Sequence, residues 1–114
     1  MLVAVVLKSD PFSWRAVQAF KIASALSFKA KVYFVTIKEG VYFLTDWRPT
    51  ELGYEDFRTY KVNRENVTFV VDKDDFEVRG LSEERLWIAD FKMIMADERE
   101  IADILDKTQV VGVW

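Results

Sequence analysis

Aspartates that follow predicted strands are the residues of this sequence whose type and spacing could do chemistry. Asp10 comes shortly after the first predicted strand, the run from Asp72 to Asp75 follows the third, and Asp97 follows the fourth. Because the carboxyl ends of parallel strands lie at one edge of a sheet, these carboxylates could together bind a hard cation such as Mg²⁺. The alternative, which we favour, is structural: Asp10 caps a helix and residues 72–75 cap the next turn.

Other chemistries are restricted by what the sequence lacks. Its 114 residues contain no cysteine and no histidine, so thiol nucleophiles, disulfides, persulfide carriers and histidine-dependent triads are excluded in this chain. Hydrolysis by paired carboxylates needs one carboxyl group in an apolar pocket that raises its pKa, whereas residues 72–79 are densely charged. We therefore predict no enzymatic activity, no cofactor and no metal.

The composition predicts one globular domain that spans residues 1–114. Hydrophobic residues make up 51% of the chain and charged residues 31%, with a net charge of −3, which argues against an extended nucleic-acid surface. No apolar run approaches the roughly 20 residues of a membrane-spanning helix. The N-terminus lacks the pattern of a signal peptide, so a cytoplasmic location is expected. Abundant Lys, Glu and Arg resemble the composition of thermophile proteins.

The first third of the chain predicts a βαβ unit. Residues 2–7 are continuously apolar, which is typical of a strand that is covered on both faces. Asp10 and Pro11 then predict a helix N-cap and first turn, and small and apolar residues recur at helical spacing as far as Phe28. Residues 31–37 are the next predicted strand, so the two strands are expected to be parallel.

Nearly the same pentapeptide occurs twice, at residues 32–36 and 41–45, with Gly40 between the copies. A short glycine-containing loop between two apolar runs is typical of a β-hairpin. However, a second strand that is apolar on both faces would need cover that so short a chain can hardly supply. We favour the interpretation that the first copy is a strand that ends near Gly40, and keep the hairpin as the alternative.

The rest of the chain continues to alternate strands and helices. A β-branched strand is predicted at Val67–Asp72, a charged turn or short helix at residues 73–81, a weaker strand at Ala89–Met95, an amphipathic helix at Ala96–Lys107 and a last strand at residues 109–114. Residues 47–66 are predicted to form a loop with at most a short helix. This alternation predicts an α/β fold with an open, mostly parallel sheet of five strands and helices on both faces.

Several segments, taken in order, resemble the DsrE/DsrF/DsrH-like (TusBCD-type) proteins of sulfur transfer. Residues 38–41 (KEGV) resemble the turn that follows a strand in this family, and residues 79–81 (RGL) resemble its R-G-[ILV] motif before acidic residues. Residues 96–114 resemble its closing helix and strand with a C-terminal aromatic residue. The resemblance implies a flavodoxin-like three-layer sandwich, in which the second copy of the pentapeptide begins a helix.

The resemblance also implies where the chemistry of this family would lie. Catalytic members carry a sulfur-accepting cysteine just after the third strand, and counting back from Arg79 and Gly80 puts Asp72 at that position. An aspartate cannot carry a persulfide. The spacing of Asp75 and Arg79 resembles the DsrH/TusB-type subunits, some of which lack the active cysteine and serve as partners in hetero-oligomers.

The expected function is therefore that of a non-catalytic DsrE/DsrH-like subunit, in a homo-oligomer or in a hetero-oligomer with related small subunits. It would support sulfur transfer, as in tRNA thiolation or sulfur oxidation, by a cysteine-bearing partner. The alternative is a small-molecule or metal-binding module that uses an acidic pocket at the strand ends. The candidate pocket residues are Ser9, Asp10, Lys38, Glu39, Gly40, Asp75 and Arg79.

Aromatic residues form 15% of the chain, which is more than a small core readily accommodates. Aromatic side chains are enriched at protein interfaces, so some are expected to contact a partner. The alternative is that they form a satellite core beneath the long loop. The candidate interface residues are Tyr42, Phe43, Trp47, Tyr54, Phe57 and Tyr60.

Overall fold

Five strands form one parallel sheet in the computed structural model, which describes residues 1–11, 13–46 and 60–114. The described helices are α1 (Trp14–Leu26), α2 (Lys73–Val78) and α3 (Glu98–Lys107), and 3₁₀ segments lie at Lys38–Leu44, Arg64–Asn66 and Glu83–Arg85. The strands are β1 (Leu2–Leu7), β2 (Lys31–Thr36), β3 (Val67–Asp72), β4 (Lys92–Ala96) and β5 (Gln109–Val113).

The strands lie in the order β4-β3-β2-β1-β5, and every neighbouring pair is parallel. The predicted α/β class is confirmed, and the architecture agrees with a flavodoxin-like three-layer sandwich. The strand order differs from the 2-1-3-4-5 order of flavodoxin itself. The chain progresses from β1 to β4 in one direction and then crosses the sheet to place β5 on the other side of β1.

The two faces of the sheet carry separate cores, because successive side chains of a strand point to opposite faces. On one face, Val5 and Leu7 of β1 pack in the larger core with α1, the Lys38–Leu44 segment and Phe76. On the other face, Val6 packs in a smaller core beneath α3, together with Val35, Val70, Ala96, Ile101 and Ile104. Helix α1 and helix α3 therefore lie on opposite sides of the molecule.

The repeated pentapeptide adopts two different structures. The first copy lies in β2, which pairs in parallel with β1 on one side and with β3 on the other. The second copy lies in the 3₁₀ segment Lys38–Leu44 and ends in an isolated bridge between Thr45 and Leu86. The favoured interpretation is confirmed against the hairpin, although the helix is 3₁₀ rather than α and begins at Lys38, so that Gly40 lies within it.

Helix α1 begins later than the sequence predicts. Asp10 is not its N-cap; Ser13 is, and the Ser13 hydroxyl accepts the Arg15 N–H at 3.1 Å. The Asp10 carbonyl instead accepts the Ser13 N–H at 3.3 Å, just before the helix begins. The predicted row of small residues is present, since Ala16, Ala19 and Ala23 are fully buried against the sheet.

The predicted fourth strand and the predicted helix after it each begin a few residues later than expected. Strand β4 begins at Lys92 rather than Ala89, because the Phe91 N–H bonds the Ile88 carbonyl at 2.9 Å and both side chains turn into the core. Helix α3 begins at Glu98, because Asp97 forms a capping box with Glu100. Among the described residues, no helix is long and apolar enough to cross a membrane.

Candidate functional site

The turn after β2 brings Lys38 to the carboxyl edge of the sheet. Lys38 adopts a left-handed backbone conformation with φ of 50°, which is unfavourable for a residue with a Cβ atom. Its N–H donates to Oδ2 of Asp75 at 2.6 Å, and this bond holds the turn. Gly40 then packs directly on the last residue of β1, where an added Cβ would overlap the Leu7 carbonyl oxygen.

Asp72 ends β3 and caps α2. Its carboxylate accepts the Asp75 N–H at 3.0 Å, the interaction that an N-cap aspartate makes with the first turn of a helix. Partial burial raises the pKa of the Asp72 carboxyl, and the negative charges of Asp75 and Asp74 add to the rise, while the backbone N–H groups of those two residues act against it. Asp72 is therefore a structural cap whose charge is disfavoured by its surroundings.

Asp75 links α2 to the 3₁₀ segment Lys38–Leu44 at this edge. One carboxylate oxygen accepts the Lys38 N–H, and the other accepts from the guanidinium of Arg79 at 3.2 Å. The same nitrogen of Arg79 also donates to the Asp75 carbonyl at 3.1 Å. The guanidinium lies 5.9 Å from the ring centre of Tyr42, so α2 contacts the 3₁₀ segment at two of its residues, Lys38 and Tyr42.

A cavity of about 220 Å³ lies between these groups and the start of α3. Lys38, Asp72 and Asp75 line it together with Ile37, Glu98 and Ile101. Three predicted positions are therefore brought together, and Arg79 contacts one of them directly. Glu98 and Ile101 were not among the predicted site residues. The capping signal at Asp97 marks Glu98 as the first residue of α3, but it does not indicate that α3 begins beside this cavity.

The remaining predicted pocket residues lie elsewhere on the same edge. Ser9 donates its N–H to the Trp114 carbonyl at 3.2 Å, which joins the end of β1 to the chain after β5. Asp10 lies in the turn before α1, and Glu39 is exposed in the first turn of the 3₁₀ segment. Gly40 is buried against Leu7 and shapes the backbone without lining the cavity.

The acidic residues of this edge do not form a metal site in the described part of the chain. Nowhere in residues 1–11, 13–46 and 60–114 do three carboxylates approach one another closely enough to hold a metal ion. Asp75 is already engaged by Lys38 and Arg79, and Asp72 by the first turn of α2. The metal-binding alternative therefore has no ligand set among these residues.

Comparison with family models and with curated proteins finds no match. What the site can do must follow from its own residues. One lysine, three carboxylates and two isoleucines line the small cavity. The contacts seen among them are structural, since Asp72 caps α2 and Asp75 accepts the Lys38 N–H.

The predicted interface aromatics have different positions. Phe43 is fully buried, with its ring centre 5.4 Å from that of Phe34 and 5.6 Å from that of Phe20, so its prediction as an interface residue is wrong. Tyr60 is half-buried and stacks on Phe20 at 6.4 Å, as the core alternative expects. Tyr42 is half-buried beneath Arg79. Trp47, Tyr54 and Phe57 lie outside the described residues.

Replacing Asp72 separates its role as a cap from the effect of its charge. Asp72→Ala removes the acceptor for the Asp75 N–H and should lower the free energy of unfolding by about 1 kcal/mol. Asp72→Asn is the matched control, since asparagine caps equally well and carries no charge beside Asp74 and Asp75. At neutral pH we expect the Asn variant to unfold at or slightly above the wild-type temperature in thermal melts.

The pH dependence of these variants follows from the raised pKa of Asp72. The folded protein binds a proton at Asp72 more readily than the unfolded chain, whose reference pKa is 3.8. The contribution of this group to the stability of the wild type is therefore fully present below that value and is lost as the pH rises through the folded-state pKa. Any advantage of Asp72→Asn should shrink on acidification; an advantage that grew would contradict the direction of the shift.

Proposed function

We propose that this chain is a non-catalytic DsrE/DsrH-like subunit, which assembles with itself or with related small subunits and supports sulfur transfer by a cysteine-bearing partner. The observation that carries the proposal is the position of Asp72. It ends β3 beside a cavity at the carboxyl edge of the sheet, where ligands of open α/β sheets bind. At the matching place the catalytic relatives carry their cysteine, whereas Asp72 caps a helix.

The Arg79-Gly80-Leu81 motif lies at the end of the same short helix that Asp72 caps. Gly80 has φ of 67°, the Gly80 N–H bonds the Glu77 carbonyl at 3.0 Å and the Leu81 N–H bonds the Phe76 carbonyl at 3.3 Å. These bonds form a Schellman motif that ends α2. Asp72 and the Arg79-Gly80-Leu81 motif thus lie at the two ends of one helix, which supports reading their spacing as that of the family.

The surroundings of Asp72 also favour a subunit without sulfur chemistry of its own. Reactive thiols are found where positive charge lowers their pKa. At this position burial and the charges of Asp74 and Asp75 disfavour an anion, because they raise the pKa of the carboxyl group that is present. The loss of the cysteine is therefore accompanied by surroundings that suit a cap better than a thiolate.

Isolation of the tagged chain from its own cells tests the proposal. We expect a stoichiometric complex with one or two small cysteine-bearing subunits, identified by native mass spectrometry and by peptide sequencing. When the complex is given a persulfide donor with labelled sulfur, the label should appear on the partner and not on this chain, because this chain has no cysteine. The control is a parallel isolation of a tagged Asp72→Asn variant, which keeps the cap and should recover the same partners.

Two outcomes would contradict the proposal. A homo-oligomer that is recovered without companions would separate the chain from any sulfur relay. A stable sulfur label on this chain would show chemistry of its own, and the carrier would then have to be sought by mapping the labelled residue.

A further inference from the structure

The basic residues of the first third of the chain are segregated from the acidic ones. Residues 11–38 contain five basic residues and no acidic residue, although the whole chain has a net charge of −3. Helix α1 lies within this range and exposes Arg15 and Lys21, and Lys29 is exposed just after its end. The outer surface of α1 is therefore positively charged in an otherwise acidic protein.

Large aromatic side chains lie along the same surface. Trp14 is 59% exposed and Phe28 is 58% exposed. Trp14, Gln18, Lys21 and Ala25 follow one another at steps of four and three residues, which places them along one line of α1. Phe28 lies in the turn just after the helix ends at Leu26. We call this line and Phe28, with Arg15 and Lys29 beside them, the basic α1 surface. Exposed aromatic residues flanked by charge are typical of interface centres.

The opposite face of the sheet presents the complementary character. Residues 97–107, which form α3 and its cap, contain five acidic and two basic residues, and Glu98, Glu100, Asp103 and Asp106 are all exposed. Val113 pairs in register with Val6, and Ile94 with Val70, so both lie on the α3 face, as does Val110 opposite Ala4. These three apolar residues flank α3 and are 37% to 56% exposed. We call this the acidic α3 surface.

We propose that the basic α1 surface of one copy binds the acidic α3 surface of a second copy. The two surfaces cannot meet within one molecule, because α1 and α3 lie on opposite faces of the sheet. Helix α1 is roughly 20 Å long, with Trp14 as its first residue and Phe28 in the turn after its last. Strands β4 and β5 are four strand spacings apart, roughly 19 Å. The two aromatic residues can therefore contact Ile94 and Val113 on either side of α3.

This contact is heterologous, since each copy uses a different surface, so it leads to a ring or to a chain of copies. Opposite charges across it fix the partner and the orientation, and burial of the aromatic side chains supplies most of the affinity. The inference rests on the proposed function in one respect, the assumption that the chain assembles. It specifies which surfaces form the contact and that the partner is a second copy. It does not depend on sulfur transfer.

Charge reversal on each surface tests the contact with purified protein. One variant carries Arg15→Glu and Lys21→Glu, and the other carries Asp103→Lys and Asp106→Lys; all four positions are exposed. By analytical ultracentrifugation at low salt, the wild type should associate and should dissociate as salt rises. For each variant alone, the association constant should be at least about tenfold lower than that of the wild type. An equimolar mixture of the two variants should associate again, because each then meets a surface of opposite charge.

A control with the same change of charge as the α3 variant distinguishes that surface from an effect of net charge. Glu83→Lys with Glu84→Lys alters two exposed acidic residues that belong to neither surface, and should associate as the wild type does. The inference is overturned if the wild type is monomeric at low salt, including the case in which it then binds single-stranded RNA through α1. It is also overturned if the oligomer ignores both reversals or if mixing fails to restore it. None of these results bears on whether cysteine-bearing partners co-purify, so failure of this contact and failure of the sulfur-relay role are separately visible.

Discussion

Gly40→Ala is expected to lower the free energy of unfolding by about 3 kcal/mol or more. A Cβ atom on residue 40 would overlap the Leu7 carbonyl oxygen and lie 2.7 Å from its carbonyl carbon. Both atoms belong to the backbone of a central strand, and the Leu7 carbonyl also accepts the Ile37 N–H at 3.0 Å. Neither group can move without disturbing the pairing of β1 with β2. The turn that presents Lys38 to the cavity would be displaced.

Gly80→Ala is the matched control for this prediction. Gly80 has φ of 67°, but a Cβ atom there would meet nothing within 4 Å. Its replacement carries only the cost of a left-handed alanine, about 1 kcal/mol. Thermal or denaturant unfolding should therefore rank the variants as wild type, Gly80→Ala and Gly40→Ala in falling stability. Equal losses for the two alanine variants would mean that the turn does not pack on β1 as described.

Part of the candidate site could be predicted from the sequence because parallel strands end at the same edge. Residues that follow β2 and β3 meet there whatever the details of the loops, which is why Lys38, Asp72 and Asp75 line one cavity. Local sequence patterns were not sufficient to predict Glu98 and Ile101 at this cavity. Their presence depends on α3 crossing the face of the sheet opposite α1, and this follows from the position of β5 beside β1, which no local pattern indicates.

The start of α1 shows how local signals compete. Asp10 with Pro11 and Ser13 with Trp14 are both acceptable helix starts three residues apart. The structure uses Ser13, and Pro11 is buried at the preceding turn. Tertiary packing decides between two caps of similar intrinsic strength, so the fold class could be predicted where this boundary could not.

The second copy of the pentapeptide is the place where composition was most misleading. Its aromatic residues predict exposed interface positions only if the segment is a loop on the surface. The 3₁₀ segment instead buries Val41, Phe43 and Leu44 and leaves Tyr42 half-buried. The tight turn at Gly40 brings the segment directly onto the sheet, and a contact between backbones at one glycine is not visible in a hydrophobicity pattern.

Phe43→Ala is expected to lower the free energy of unfolding by about 3 to 5 kcal/mol, as for other fully buried phenylalanines. The ring lies among those of Phe20, Phe34 and Trp87, at centre distances of 5.4 to 5.6 Å. In addition, the Phe43 carbonyl accepts the indole N–H of Trp87 at 2.7 Å, and a cavity beside that bond would loosen it. Trp87 fluorescence should therefore change along with the unfolding midpoint.

Tyr42→Ala separates burial from assembly, because Tyr42 is the neighbouring residue and is only half-buried. The Tyr42→Ala change should lower the free energy of unfolding by about 1 kcal/mol, chiefly because the contact of the ring with the Arg79 guanidinium is lost. If Phe43 belongs to the core, Phe43→Ala lowers the melting temperature far more than Tyr42→Ala does, at every protein concentration. If Phe43 were an interface residue, its replacement would leave the stability of the monomer unchanged and would weaken association instead. Unfolding followed across a range of concentrations distinguishes the two, since the midpoint depends on protein concentration only where unfolding is coupled to dissociation of an assembly.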